Sequence, residues 1–228
     1  QMKVAILVDG GFYRRRALAC KGVKTAAERA DELIEYCHRH LYERSKKGKN
    51  KYQHQLYRIF YYDCPPMRKT VYHPLTRENI EFAKTDLYEW TIKFFDELKR
   101  KRKVALRLGK LADEQAHFNI RQDVLRKVLN GSRTLNDLTK DDFCINVEQK
   151  GVDMKIGIDI TSLAFKKQVE RIILISGDSD FVPAAKQARR EGIDFILDPL
   201  YNHIKPDLYE HIDGLYTCDS DYRPKEST

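Results

Sequence analysis

Four aspartates stand just beyond short apolar runs of strand length: Asp9 after Lys3 to Val8, Asp63 after Gln55 to Tyr62, Asp178 after Ile172 to Ile175, and Asp198 after Ile193 to Leu197. In a parallel sheet every strand points the same way, so residues past the strand ends gather on one rim, where ligands bind at the point where the strand order reverses. An aspartate there has a structural use as the N-cap of the next helix. That reading is adopted for Asp63 and Asp198, which lie just before prolines. Asp9 and Asp178 follow the two most apolar strands, beside Gly10, Gly11 and Gly177, which let backbone or ligand come close, and Asp180 stands two residues after Asp178. Carboxylates gathered on one rim repel one another and hold protons more tightly unless a cation joins them. All-oxygen ligation suits Mg²⁺ or Mn²⁺.

The elements that must position these residues alternate between strand and helix. That alternation is the pattern of βαβ units, and it predicts an α/β fold with a mostly parallel sheet flanked by helices. Thr25, with Glu28 three residues on, predicts the start of a long helix reaching about Lys46. Apolar spacing predicts another helix from about Thr76 to Arg102. A strand is expected over Val104 to Leu111, then a helical insertion over 112–142 with its helix at Glu114 to Leu129, then a short strand at Phe143 to Val147. A helix from Ser179 to Arg190 and a C-terminal extension over 207–228 complete a single expected domain over 1–228.

With 228 residues and 42% hydrophobic composition the chain can bury a proper core, which excludes a disordered tail protein. No apolar run approaches the roughly 18 residues of a membrane span, and no charged-then-apolar leader comes after Gln1, so a cytosolic protein without membrane contact is expected. Five scattered cysteines without C-x-x-C predict free thiols. The net charge of +8 favours an anionic partner, nucleic acid above all. The excess lies in two blocks, Arg39 to Lys51 and Lys99 to Lys110. Each reads alone as a solvated helix end, and gains meaning as a binding surface only beside an active site.

Three strings taken in order carry a resemblance: Val8-Asp9-Gly10-Gly11-Phe12, then Lys150-Gly151-Val152-Asp153, then Ile175-Ser176-Gly177-Asp178-Ser179-Asp180-Phe181. They resemble the motifs of the NYN domain, of the LabA-like subgroup within the PIN-like nuclease superfamily. The resemblance implies a metal site made by Asp9, Asp153, Asp178 and Asp180, with Asp159 a weaker fifth, and a helix beginning near Val152. It implies cleavage of nucleic acid, RNA favoured over DNA. Where the family often has Asn in its first motif, this chain has Phe12. Phe12 and Tyr13 are expected in the core rather than stacked on a base. On a helix Asp159 lies roughly 120° around from Asp153, so the two cannot face one ion unaided.

The expected chemistry is metal-assisted phosphodiester hydrolysis by an endonuclease, with Asp9, Asp153, Asp178 and Asp180 as the catalytic acids. Lys150 is the expected phosphate contact nearest the site; Arg44, Lys46 and Lys47 of the first block and Arg100, Lys101 and Arg102 of the second would add nonspecific, salt-sensitive affinity. A homodimer is a weaker expectation. One rival is a non-catalytic nucleic-acid-binding or scaffold protein on the same fold. The other, a haloacid dehalogenase-type phosphatase, lacks its second acid, since position 11 is Gly11.

Overall fold

The structure, a computed structural model, describes residues 1–44, 51–178 and 180–224. In chain order the elements are β1 (Lys3–Asp9), α1 (Gly10–Lys21), α2 (Ala26–Arg39), β2 (Tyr42–Arg44), β3 (Lys51–Gln53), β4 (Gln55–Asp63), β5 (Thr70–Tyr72) and β6 (Asn79–Glu81). There follow α3 (Asp86–Arg100), β7 (Val104–Leu108), β8 (Lys110–Ile120), α4 (Gln122–Leu129), β9 (Phe143–Lys150), α5 (Val152–Phe165), β10 (Arg171–Ile175), α6 (Val182–Arg190), β11 (Asp194–Asp198), α7 (Pro206–Tyr209) and β12 (Gly214–Leu215).

Among the described residues six strands form one sheet in the order β12-β11-β10-β1-β4-β7, with every pairing parallel. The architecture is α/β, as the strand and helix alternation predicted. From β1 the chain steps outward through β4 to β7, then returns to the other side of β1 as β10, so the strand order reverses between β1 and β10.

The period of two along β1 divides the core. Val4, Ile6 and Val8 pack with α1, α2 and α3 through Tyr13, Leu33 and Phe94. Ala5 and Leu7 face the opposite layer, Ile156 and Ile160 of α5 and Ala185 of α6. A strand buried on both faces has to be apolar at every position, which is why Val4 to Val8 shows no alternation. Where β1 ends, a Cβ on Gly10 would stand 2.5 Å from both the Tyr61 ring and the Tyr62 carbonyl oxygen, so only glycine lets α1 leave the strand this close to β4.

Several boundaries differ from expectation. The capping box at Thr25 and Glu28 is present, but α2 stops at Arg39, where His40 caps it and the chain turns into β2. Of the expected continuation to Lys46, residues 40–44 are turn and strand, and 45 and 46 lie outside the described residues. Residues 76–85 are not part of the α-helix: β6, hairpinned with β5, occupies Asn79–Glu81, a single 3-10 turn follows at Phe82–Lys84, and Phe82 stacks on Phe118, 6.0 Å between centroids. The insertion over 112–142 is not a helical excursion. Its first part continues as β8, which pairs antiparallel with β9 from Lys110↔Lys150 to Ile120↔Phe143, and the helix is confined to α4. The strand expected at Phe143 to Val147 therefore belongs to this arm and not to the central sheet. Residues after 207 are not an appendage either, since β12 joins the sheet edge and Tyr222 is fully buried. No helix among the described residues is long and apolar enough to cross a membrane.

Candidate active site

The cleft lies at the carboxyl ends of the strands, at the β1/β10 reversal. It has a volume of about 240 Å³ and is lined by Asp9, Gly11, Arg15, Asp63, Gln149 and the start of α5 from Gly151 to Met154, with Asp178 opposite. Three of the expected acids, from three separate segments, meet there.

Asp9 caps α1, its Oδ1 accepting from the Phe12 N–H at 3.2 Å, and its Oδ2 accepts from the Ser176 hydroxyl at 3.1 Å. The capping use and the site use of this residue thus coexist. Burial pushes its carboxyl above the ordinary range, the two hydrogen bonds pull it back, and Asp153 raises it again. Asp153 sits in the first turn of α5, reached through Gly151 in the left-handed region at φ 82°. Its carboxyl is also raised, first by the cleft wall around it and then by the like charges of Asp178 and Asp180. Ser176, fully buried, accepts from the Asp178 N–H at 3.2 Å while donating to Asp9, so one hydroxyl fixes the β10 loop against β1. Asp178 Oδ1 in turn accepts from the Asp180 N–H at 3.0 Å. Asp180 is exposed at the mouth, near enough to act on Asp153 by charge.

Asp159, the weaker fifth acid, is not in the cleft. It accepts from the Tyr62 hydroxyl at 2.8 Å and pairs with Arg107 at 3.2 Å, as its angular separation from Asp153 requires. Asp63 does line the cleft but is neutralised: Arg14 grips both its oxygens at 3.0 Å, and the Tyr61 hydroxyl and the Cys64 N–H also donate to it. Asp198 is buried among His40, Thr217 and the Leu200 N–H, with Tyr36 donating as well; its role is structural, but it caps no helix, since the next one starts only at Pro206. Phe12 and Tyr13 are core residues; the Phe12 ring lies under Gly177, where a Cβ would meet it at 2.6 Å.

The basic residues are placed otherwise than expected. Arg100, Lys101 and Arg102 precede β7 at the amino-terminal edge of the sheet, where Arg102 lies beside Gln1 and Gln55. At roughly 3.3 Å per residue the seven-residue β1 puts that edge about 20 Å from the carboxylates. Arg100 pairs with Glu97 at 2.8 Å and Lys101 with Asp31. Arg44 ends β2, in the hairpin that leads into the start of β4, again at the far edge. Lys46 and Lys47 lie outside the described residues. Arg44, Arg100, Lys101 and Arg102 therefore do not flank the acidic cleft, because their segments connect helix ends to strand beginnings, whereas Arg107 and Lys110 of the second block stand at the carboxyl end of β7, where Arg107 pairs with Asp159 and Lys110 lies opposite Lys150. Of the basic residues expected to meet phosphate, Lys150 is adjacent, between Gln149 and Gly151, and its ammonium pairs with Glu148 at 3.2 Å. Sequence reading missed Arg15, hidden in a run of three arginines. It also missed the positioning role of Ser176, although that residue stands within the Ser176-Gly177-Asp178 string.

Residues 91–203 match the family model of the NYN domain. The chain carries an NYN domain. The matched segment contains Asp153, Asp178 and Asp180, whereas Asp9 precedes it in sequence and reaches the same cleft through the β1/β10 pairing. The chain is also similar to a Methanocaldococcus jannaschii protein described as "Uncharacterized protein MJ0482", 30% identical over 155 residues, covering 58% of this chain and 64% of that relative. The chain thus spans under two thirds of that relative's length. A solved structure of a Vibrio parahaemolyticus protein of unknown function, VPA0982, aligns over 97% of this chain and 95% of its own with 14% identity and a TM-score of 0.48.

The donor chemistry of the NYN cleft fits a hard divalent cation. Asp9, Asp153, Asp178 and Asp180 form no ion pair within 4.0 Å among the described residues, and Asp9 and Asp153 are raised in part by their acidic neighbours. Among the described residues no three such side chains converge tightly enough to enclose an ion alone.

Proposed function

We propose that this protein is a metal-dependent nuclease that hydrolyses phosphodiester bonds, in RNA in preference to DNA. The observation that supports it is the set of unneutralised carboxylates at the strand-order reversal, on a chain whose other rim aspartates, Asp63 and Asp198, are held by hydrogen-bond partners. Asp9, Asp153 and Asp178 would hold Mg²⁺ or Mn²⁺, with Asp180 completing the set or orienting a water. When bound, the ion supplies charge for the scissile phosphate and a lowered pKa for an attacking water. The chain's own part is positional. Ser176 holds Asp9 and the Asp178 backbone at one spacing, and α5 presents Asp153 from its first turn. The LabA-like subgroup rests on the three ordered strings at Asp9, Asp153 and Asp178, and cytosolic location and a dimer belong to the same proposal.

Labelled single- and double-stranded RNA and DNA, incubated with the purified protein in Mg²⁺, Mn²⁺ or EDTA, test the reading. Metal-dependent cleavage of RNA is expected. Binding without turnover in any metal would replace the nuclease with a non-catalytic nucleic-acid binder.

A further inference from the structure

The three consecutive arginines midway along α1 have separate fates. Arg14 is committed to Asp63 at 3.0 Å, and Arg16 donates to the Leu200 and Tyr222 carbonyl oxygens at 2.8 Å. Arg15, turned about 100° from each on the helix, is exposed, lines the acidic cleft, and makes neither an ion pair nor a hydrogen bond among the described residues. It lies one helical turn beyond Gly11, on the same face. A Cβ on Gly11 would meet only Asp9 Oδ1 at 3.9 Å and Arg15 Nη1 at 4.0 Å, so the space between the carboxylate and the guanidinium is open. A guanidinium that stays this close to an acidic cluster without closing onto it is available for another anion.

We infer that Arg15 grips a substrate phosphate next to the one that is cut. The inference rests on the nuclease reading of the cleft. A guanidinium offers a planar pair of N–H donors matched to two phosphate oxygens, and Gly11 keeps the path from Asp9 to that fork free of side chain. The opposite wall supplies Gln149 and the exposed Met154, so a single strand crossing the carboxylates meets a phosphate donor on the α1 side and an amide and thioether on the α5 side. Arg15 is a substrate-binding residue here. It does not serve to neutralise Asp9, on which its charge is the smallest of the influences acting.

The test compares the wild-type full chain with Arg15→Gln and Arg15→Lys. Binding of a fluorescent single-stranded RNA is measured by anisotropy in EDTA across a salt series, and steady-state cleavage and Mn²⁺ binding are measured alongside. For Arg15→Gln the slope of log K against log salt should become shallower by about 0.7, the value of one phosphate contact on a single strand. KM should rise about tenfold with little change in kcat, Mn²⁺ affinity should stay at the wild-type value, and Arg15→Lys should keep the slope. A wild-type slope and KM in Arg15→Gln, while the wild type cleaves, would overturn this inference and leave the nuclease reading standing. A tenfold change in Mn²⁺ affinity with the slope unmoved would also overturn it, by placing Arg15 with the carboxylates. Failure of the wild type to bind or cleave any nucleic acid would remove the nuclease reading and this inference together.

Discussion

Ser176→Ala removes one buried oxygen that serves two aspartates. The hydroxyl donates to Asp9 Oδ2 at 3.1 Å and accepts from the Asp178 N–H at 3.2 Å. A hydrogen bond to a charged group contributes about 1.5–3 kcal/mol and a neutral one about 0.5–1.5 kcal/mol, so the two together come to about 2–4.5 kcal/mol. For a chain of this length about 2–4 °C of melting temperature accompanies each kcal/mol, so a loss of about 4–18 °C at neutral pH is expected by circular dichroism. The pH dependence carries a second signature. The Ser176 hydrogen bond favours the ionised form of Asp9, whose carboxyl burial already raises. Deleting it raises that carboxyl further. A group raised in the folded state contributes stability below its unfolded value of 3.8 that is lost as pH rises through the folded value. The deficit of Ser176→Ala should therefore be larger at pH 7 than near pH 3.5, and the acid limb of the cleavage profile should move to higher pH. A melting temperature within about 1 °C of wild type at both pH values, with the acid limb unmoved, would refute the placement of Ser176 as the clamp between β1 and β10.

Other outcomes rest on the same geometry. Asp153→Asn removes a carboxyl raised by its wall and by Asp178 and Asp180, so without metal at pH 7 its melting temperature should rise while cleavage falls at least about 100-fold; a lower melting temperature in EDTA would contradict the like-charge account. Gly10→Ala drives a Cβ against Tyr61 and the Tyr62 carbonyl, and should cost about 3 kcal/mol, read as a melting temperature lower by about 6–12 °C; an unchanged value would show that α1 can shift freely off β4. Arg14→Ala leaves Asp63 buried without its ion-pair partner, for a cost of about 3–5 kcal/mol in chemical denaturation, while Mn²⁺ affinity of the folded protein should hold, because Asp63 is not among the free carboxylates.

The acids of the cleft were legible because motif spacing and strand ends are local properties. Val4 to Val8 and Ile172 to Ile175 announce buried strands, and the residues just past each strand end are thereby placed on the rim. Thr25 with Glu28 likewise marks a helix start from four residues alone. The arm was not legible for the opposite reason. The segment from Ala112 to Ile120 is polar and helix-compatible read alone, and becomes a strand only by pairing with Phe143 to Lys150, more than twenty residues on. The hairpin of β5 and β6 likewise packs on the arm, His73 of its loop meeting Phe118 and Phe143. The charge run at Arg100 to Arg102 misleads for a topological reason: lysines and arginines collect at helix C-termini, and in a parallel α/β sheet those ends lead to strand beginnings, the edge away from the carboxylates. Arg15 escapes notice because nothing in the sequence separates it from Arg14 and Arg16; only their partners do.

The most direct test of the carboxylate cleft is the rate at which Asp178→Asn, shown by circular dichroism to be folded, cleaves labelled RNA in Mn²⁺ beside the wild type. Cleavage by the wild type that EDTA abolishes, with a loss of at least about 100-fold in Asp178→Asn, is the predicted result, since one ligand of the set and its charge are gone. Cleavage by the folded Asp178→Asn at the wild-type rate would contradict the assignment of the site.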